Sequence, residues 1–191
     1  MRTRDDSGRL SRPLFAFLAV LTGLTAALLL QSFVLQVYRV PSGSMRPTLL
    51  PGDRVLVDKF TGAWRPLRRG DVIVFDATDV WTPATNGELV VKRIIGLPGD
   101  RVSCCDRDGH LERNGVHLRE RYAVPAADPR RFRVVVPPGR LWVMGDDRGL
   151  SLDSSAYRNL PDGGSVPVND VVGRAVAVVW PIGRAGILGT P

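Results

Sequence analysis

Ser44 lies in Pro41-Ser42-Gly43-Ser44-Met45-Arg46-Pro47-Thr48, just after a long apolar run. A serine hydroxyl is a weak nucleophile near neutral pH. To attack a carbonyl it needs a base within hydrogen-bond reach and donors aimed at the oxyanion that forms. Gly43, without a Cβ, lets a substrate carbonyl approach the backbone and accepts the dihedrals of a tight turn. Ser42 adds a hydroxyl two residues away, on the same side as Ser44 if the segment is extended. Alone, the stretch also reads as a turn-rich linker. A second cluster adds the missing base: Val90-Val91-Lys92-Arg93-Ile94-Ile95-Gly96-Leu97-Pro98-Gly99-Asp100. With Leu89 to Gly96 as a strand, Val90, Lys92 and Ile94 share one face, and Val91, Arg93 and Ile95 share the other. Burial disfavours the ammonium form, and moving a lysine from about 10.4 towards 8 costs about 3 kcal/mol and yields a usable base. Arg93 takes the solvated role, its stem covering the sheet.

A third cluster, Gly145-Asp146-Asp147-Arg148-Gly149-Leu150-Ser151-Leu152-Asp153-Ser154, is polar and glycine-punctuated at a predicted strand end. It reads equally as a turn or as a site loop whose hydroxyl orients the lysine. His110 and His117 fall in a hairpin-like stretch with no carboxylate motif around them and are read as surface residues, against a Ser-His-Asp triad.

These clusters need elements to hold them. Residues 1–12 form a polar tail with four arginines, expected to be cytoplasmic. Residues 13–38 carry no charged side chain, and the apolar run within them meets the ~20 residues that cross a bilayer, so a single transmembrane helix is predicted. The run exceeds the ~7–15 apolar residues of a cleaved leader. The remaining residues, 39–191, form an extracytoplasmic domain, with the chain in the plasma membrane. Period-two patterning bounded by turn residues predicts strands at Arg54 to Lys59, Asp71 to Phe75, Leu89 to Gly96, Arg101 to Cys104, Phe132 to Val136, Leu141 to Gly145 and Gly173 to Trp180. Seven strands without an amphipathic helix imply a mainly β domain of antiparallel sheets in a partly open barrel. Leu118 to Arg131, rich in Arg, Pro and Ala, reads as a mobile connection.

Twenty glycines and fifteen prolines in 191 residues agree with a loop-rich β protein. The net charge of +7 comes from scattered basic residues with no nucleic-acid-binding motif, so membrane lipids are the expected partner of that charge. The two cysteines are adjacent, Cys104 and Cys105. A trans peptide holds their Cα atoms about 3.8 Å apart, below the usual range for a bridged pair, which favours two thiols. No metal-ligand spacing occurs.

Pro41 to Leu49, Gly52 to Phe60, Arg69 to Phe75, Lys92 to Asp100 and Gly145 to Ser154 resemble, in the same order, the sequence boxes of type I bacterial signal peptidases. The resemblance implies a membrane-anchored serine protease with a Ser-Lys dyad, without cofactor or metal, that removes signal peptides from exported preproteins. Residue by residue it implies Ser44 as nucleophile and Lys92 as general base, with Ser42 and the Ser44 N–H forming the oxyanion hole. It implies Ser151 as the hydroxyl that holds the lysine, with Asp146, Arg148 and Asp153 supporting the loop. Val40, Met45, Leu49, Val90 and Val91 resemble the lining of shallow pockets for small side chains at −1 and −3. The third box departs from the family at Asp147, Gly149, Leu150 and Ser155, which leaves Asp153 without its expected arginine. Two other readings remain: an anchored β module that binds without catalysis, and a Ser-Lys peptidase dedicated to one secreted substrate.

Overall fold

The computed structural model describes residues 11–60, 65–81, 89–106 and 109–189, without the side chains of 11–12 and 26–33. The chain divides into two units, Met1–Leu35 and Gln36–Pro191. The first holds helix α1, Ser11–Val34. Leucine, alanine and phenylalanine dominate it, and Thr22 and Thr25 donate their hydroxyls back to Leu18 and Leu21 carbonyls at 2.6 and 2.8 Å, so neither is left bare. Among the described residues no helix is long and apolar enough to cross a membrane. The expected tail lies outside the described residues up to residue 10, as do eight side chains of the expected span. That span also ends early. Residues Leu35–Arg39 form strand β1, because Val37 and Tyr38 favour extended backbone and β2 offers a partner.

The second unit is mainly β. After β1 come β2 (Arg54–Asp58), β3 (Val72–Asp76), β4 (Leu89–Gly96), β5 (Arg101–Cys104), β6 (Leu111–Arg113) and β7 (Val116–His117). They are followed by β8 (Phe132–Val135), β9 (Arg140–Met144), β10 (Val166–Pro167), β11 (Val171–Trp180) and β12 (Gly186–Ile187). The large sheet runs β1-β2-β11-β3-β4-β9-β10, with β12 also on β11; the small sheet runs β7-β6-β5-β8. The large sheet has two ends and is open. All seven strands predicted from period two are present within a residue or two. The short strands β6, β7, β10 and β12 carry too few residues for a period.

The ten residues of β11 bond β2 along one side and β3 then β12 along the other. β4 sits between β3 and β9, with Lys92 opposite Ile73 and Arg93 opposite Met144. Three apolar clusters cover these strands. The first joins Val40, Met45 and Leu49 to Val55, Val57, Val72 and Val74. The second gathers Ile73, Phe75, Trp81, Ile94 and Val143, and the third packs Trp142, Ile95 and Phe132 beneath the small sheet.

Two expectations change here. The stretch from Leu118 to Arg131 is strapped down: Val124 N–H donates to the Asp146 carbonyl at 2.8 Å, and Arg148 N–H donates to the Val124 carbonyl at 3.0 Å. Cys104 and Cys105 form a disulfide with each other rather than two thiols. Their peptide bond is cis and their Cα atoms lie 3.0 Å apart, so the trans spacing assumed from sequence does not apply.

Candidate active site

Ser44 sits in a turn whose backbone closes on itself, with Arg46 N–H to the Gly43 carbonyl at 3.1 Å and Leu49 N–H to the Met45 carbonyl at 2.9 Å. Met45 and Leu49, wholly buried in the first cluster, fix this turn on the sheet. The Asp53 carboxylate caps its far end by accepting Leu50 N–H at 2.9 Å. Ser44 is thereby held with 8% of its surface exposed.

Lys92 reaches it from the centre of β4, 48 residues away in sequence. Its Nζ donates to Ser44 Oγ at 2.9 Å, and the residue is 4% exposed. Among the described residues no carboxylate forms an ion pair with this amine. Burial pushes its pKa down to about 8, against the smaller upward pull of the Asp153 and Asp146 charges. The contact therefore joins an alcohol to an amine that sheds its proton near neutrality. Ser42 Oγ lies 3.3 Å from Ser44 Oγ.

The Gly145 loop encloses the pair. Asp147 N–H donates to the Ser44 carbonyl at 3.0 Å. Gly145 N–H donates to both Ser151 Oγ and Asp153 Oδ2, each at 3.1 Å. A Cβ on Gly145 would run into the Ser44 carbonyl oxygen and Ser151 Oγ, so only glycine lets the loop and the Ser44 turn approach this closely. Ser151 Oγ is thus engaged by the Gly145 amide, and no hydrogen bond joins it to Lys92. Asp153, lacking an arginine, accepts instead from Ser155 N–H at 3.1 Å and Ser155 Oγ at 2.6 Å.

Arg93 is not solvated. It is 2% exposed and grips Asp146 with two bonds, Nε to Oδ1 at 2.8 Å and Nη2 to Oδ2 at 2.6 Å. Nη1 donates to the Gly70 carbonyl at 2.8 Å, Thr48 Oγ1 donates to the same carboxylate, and the guanidinium lies 4.1 Å over the Tyr122 ring. Parity assigned Arg93 to the face opposite Lys92 correctly. Parity does not show that this face is covered, because Asp146, Thr48 and Tyr122 all come from distant loops. Arg148 bonds the Gly145 carbonyl at 2.9 Å and pairs with Glu120 through two contacts of 2.9 and 2.7 Å. Glu120 and Tyr122 were missed from sequence, and no local pattern marks them.

The residues expected to line substrate pockets divide. Val40, Met45, Leu49 and Val91 meet in or against the first cluster, whereas Val90 packs against the second. Val40, Met45 and Leu49 are each at most 2% exposed.

The family profile described as "Signal peptidase, peptidase S26" matches residues 14–180. The chain belongs to the signal peptidase family. This S26 chain is 39% identical over 168 residues to a signal peptidase I of Leptolyngbya laminosa, covering 86% of this chain and 78% of that protein. It is 36% identical to a signal peptidase I of Mycobacterium tuberculosis, covering 91% of this chain and 74% of the other. Among solved structures, a signal peptidase I from Enterococcus faecalis V583 is 31% identical, covers 58% of this chain and 97% of that one, and aligns with a TM-score of 0.45. As a signal peptidase, the chain is a serine endopeptidase.

Proposed function

We propose that this peptidase is anchored in the plasma membrane by its N-terminal apolar segment and cleaves signal peptides from exported preproteins with a Ser44-Lys92 dyad. The observation that carries the reading is the 2.9 Å contact of a buried Lys92 Nζ with Ser44 Oγ. Uncharged, the amine takes the hydroxyl proton as Ser44 Oγ attacks the carbonyl of the −1 residue. The Ser44 N–H and the Ser42 hydroxyl face the oxyanion. Lys92 then gives its proton to the departing amine, and water releases the acyl group. The loop residues act on position: Ser151 and Asp153 hold Gly145, Asp146 holds Arg93, and Arg148 ties the loop to Glu120.

The substrate lies extended along a strand edge, with backbone bonds that do not depend on its sequence. Small side chains at −1 and −3 fit a shallow apolar wall at the partly buried Val91, with Met45 and Leu49 packed behind it. Anchoring is supported by the uncharged run from residue 13 and by Phe15, Phe17 and Val20, which expose 64–70% of their surface and need an apolar medium. The N-terminal tail is cytoplasmic and the β domain lies outside. The test incubates detergent-solubilised wild type, Ser44→Ala and Lys92→Met with a labelled preprotein and sequences the new N-terminus. Cleavage after a small-x-small site by wild type alone is expected; wild-type rates from Lys92→Met would falsify the dyad.

A further inference from the structure

Beside the Gly145 loop is a cavity of about 1000 Å³, with Met144, Arg148 and Ser155 in its wall. The strapped connection supplies most of the remainder, including Arg119, Arg121, Arg130 and Arg131. The two carboxylates at its edge are already engaged. Glu120 holds Arg148 through two bonds, and Asp106 lies 2.9 Å from His117 Nδ1. Arg130 spends one N–H on the Ser151 carbonyl at 3.1 Å. Among the described residues Arg119, Arg121 and Arg131 make no ion pair. Four guanidinium groups therefore line a space of ligand-binding size, and among the described residues none of the four is in an ion pair.

We propose that this cavity receives an acidic segment of the substrate polypeptide, C-terminal to the scissile bond. The inference rests on the signal-peptide reading. The cavity wall begins at Arg148, one residue from the amide that bonds the Ser44 carbonyl, so an extended chain advancing about 3.3 Å per residue spans the interval in a few residues. Direction follows from chemistry. The residues before the scissile bond belong to an apolar leader, which would strip water from guanidinium groups and return nothing. The residues after it are free to carry charge, and carboxylates match the planar donors of arginine. The segment acts on capture: opposite charge beside the site raises encounter and lowers KM, and kcat stays with the dyad.

The test uses two peptides with one leader and one small-x-small site. One carries Asp and Glu, the other Asn and Gln, in the stretch about three to eight residues after the scissile bond. Wild type should cleave the acidic peptide with kcat/KM roughly tenfold higher at low salt, through KM, and the ratio should fall towards one in about 1 M salt. The exposed pair Arg119→Glu with Arg121→Glu should push the ratio below one. Arg54→Glu, exposed on β2, should leave it as in wild type. A wild-type ratio of one at low salt overturns the proposal while leaving the signal-peptide reading intact. If neither peptide is cut at the small-x-small site, or Ser44→Ala cuts both, the signal-peptide reading itself fails and takes this proposal with it. Should the double reversal weaken sedimentation with phosphatidylglycerol vesicles and leave the peptide ratio unmoved, the cavity serves a lipid headgroup and the proposal is wrong.

Discussion

Lys92 and Arg93 are consecutive residues of β4, both cationic by type and both withdrawn from water, yet their surroundings have opposite consequences. Around Lys92 the hydrogen-bond partner is a neutral hydroxyl, so burial outweighs the more distant pull of Asp153 and Asp146 and the amine is driven towards its uncharged form. Around Arg93 a carboxylate, a carbonyl and an aromatic face meet the guanidinium, each a favourable partner for a cation. One strand thus presents the proposed base on one side and a strut on the other. The partner decides which, because depth of burial is nearly the same.

The largest expected effect separates these two roles. Lys92→Met should lower kcat/KM by at least about 10³-fold, since a general base contributes roughly 10²–10⁴ and among the described residues no other amine, imidazole or carboxylate hydrogen-bonds Ser44 Oγ. Its thermal midpoint should stay at or above that of wild type, because a buried amine gives way to an apolar chain of similar bulk. Arg93→Met should do the reverse. It leaves Asp146 buried and unpaired, costing about 3–5 kcal/mol in urea unfolding, and activity per folded molecule should change far less than stability. A loss of catalysis without a loss of stability at Arg93 would break the contrast.

The pH dependence sharpens it. Unfolded Lys92 keeps its proton up to about 10.5, while in the folded chain it is released near about 8. Between these values the unfolded chain binds more protons, so this residue's contribution to stability is full above 10.5 and is lost as pH falls through about 8. Wild type should gain on the order of 3 kcal/mol relative to Lys92→Met between pH 7.5 and 10.5, read from urea midpoints. The kcat/KM of the free enzyme should rise with pH through the same apparent value of about 8.

Gly145 stands between the two environments, bonded to Ser151 and Asp153 on one side and adjacent to Asp146 on the other. Gly145→Ala must push the loop off the Ser44 turn, and kcat should fall on the order of 10²-fold from misplacement of the nucleophile. The smallest effect belongs to the aromatic lid on the strut. Tyr122→Leu should lower stability by about 1 kcal/mol, the worth of a cation over a ring, with the dyad's pH profile unmoved.

Much of this was legible before the fold was known. Ser44 and Lys92 each stand out in a local pattern, the fold brings the two to 2.9 Å, and the alternation along β4 gives the lysine its apolar neighbours. The long strands were legible for the same reason, since period two survives in any run of four or more residues. What failed to show was whatever depended on a distant covering segment. Arg93 looked solvated because its carboxylate is 53 residues away. The connection before β8 looked loose because proline and arginine composition says nothing of the two backbone bonds that tie Val124 to the site loop. The strand β1 was absorbed into the preceding apolar run, since apolar residues near a helix end carry no mark of where a sheet edge will claim them.

The place of β11 in the large sheet bears on when the domain can form at all. β2 and β3 follow one another in sequence but are not neighbours; β11, beginning at residue 171, lies between them. While the chain is being synthesised both strands present bare edges, and nothing translated earlier fills the slot. A nascent chain stopped short of that strand stays without its central sheet, so assembly waits until almost all of the described domain has left the ribosome.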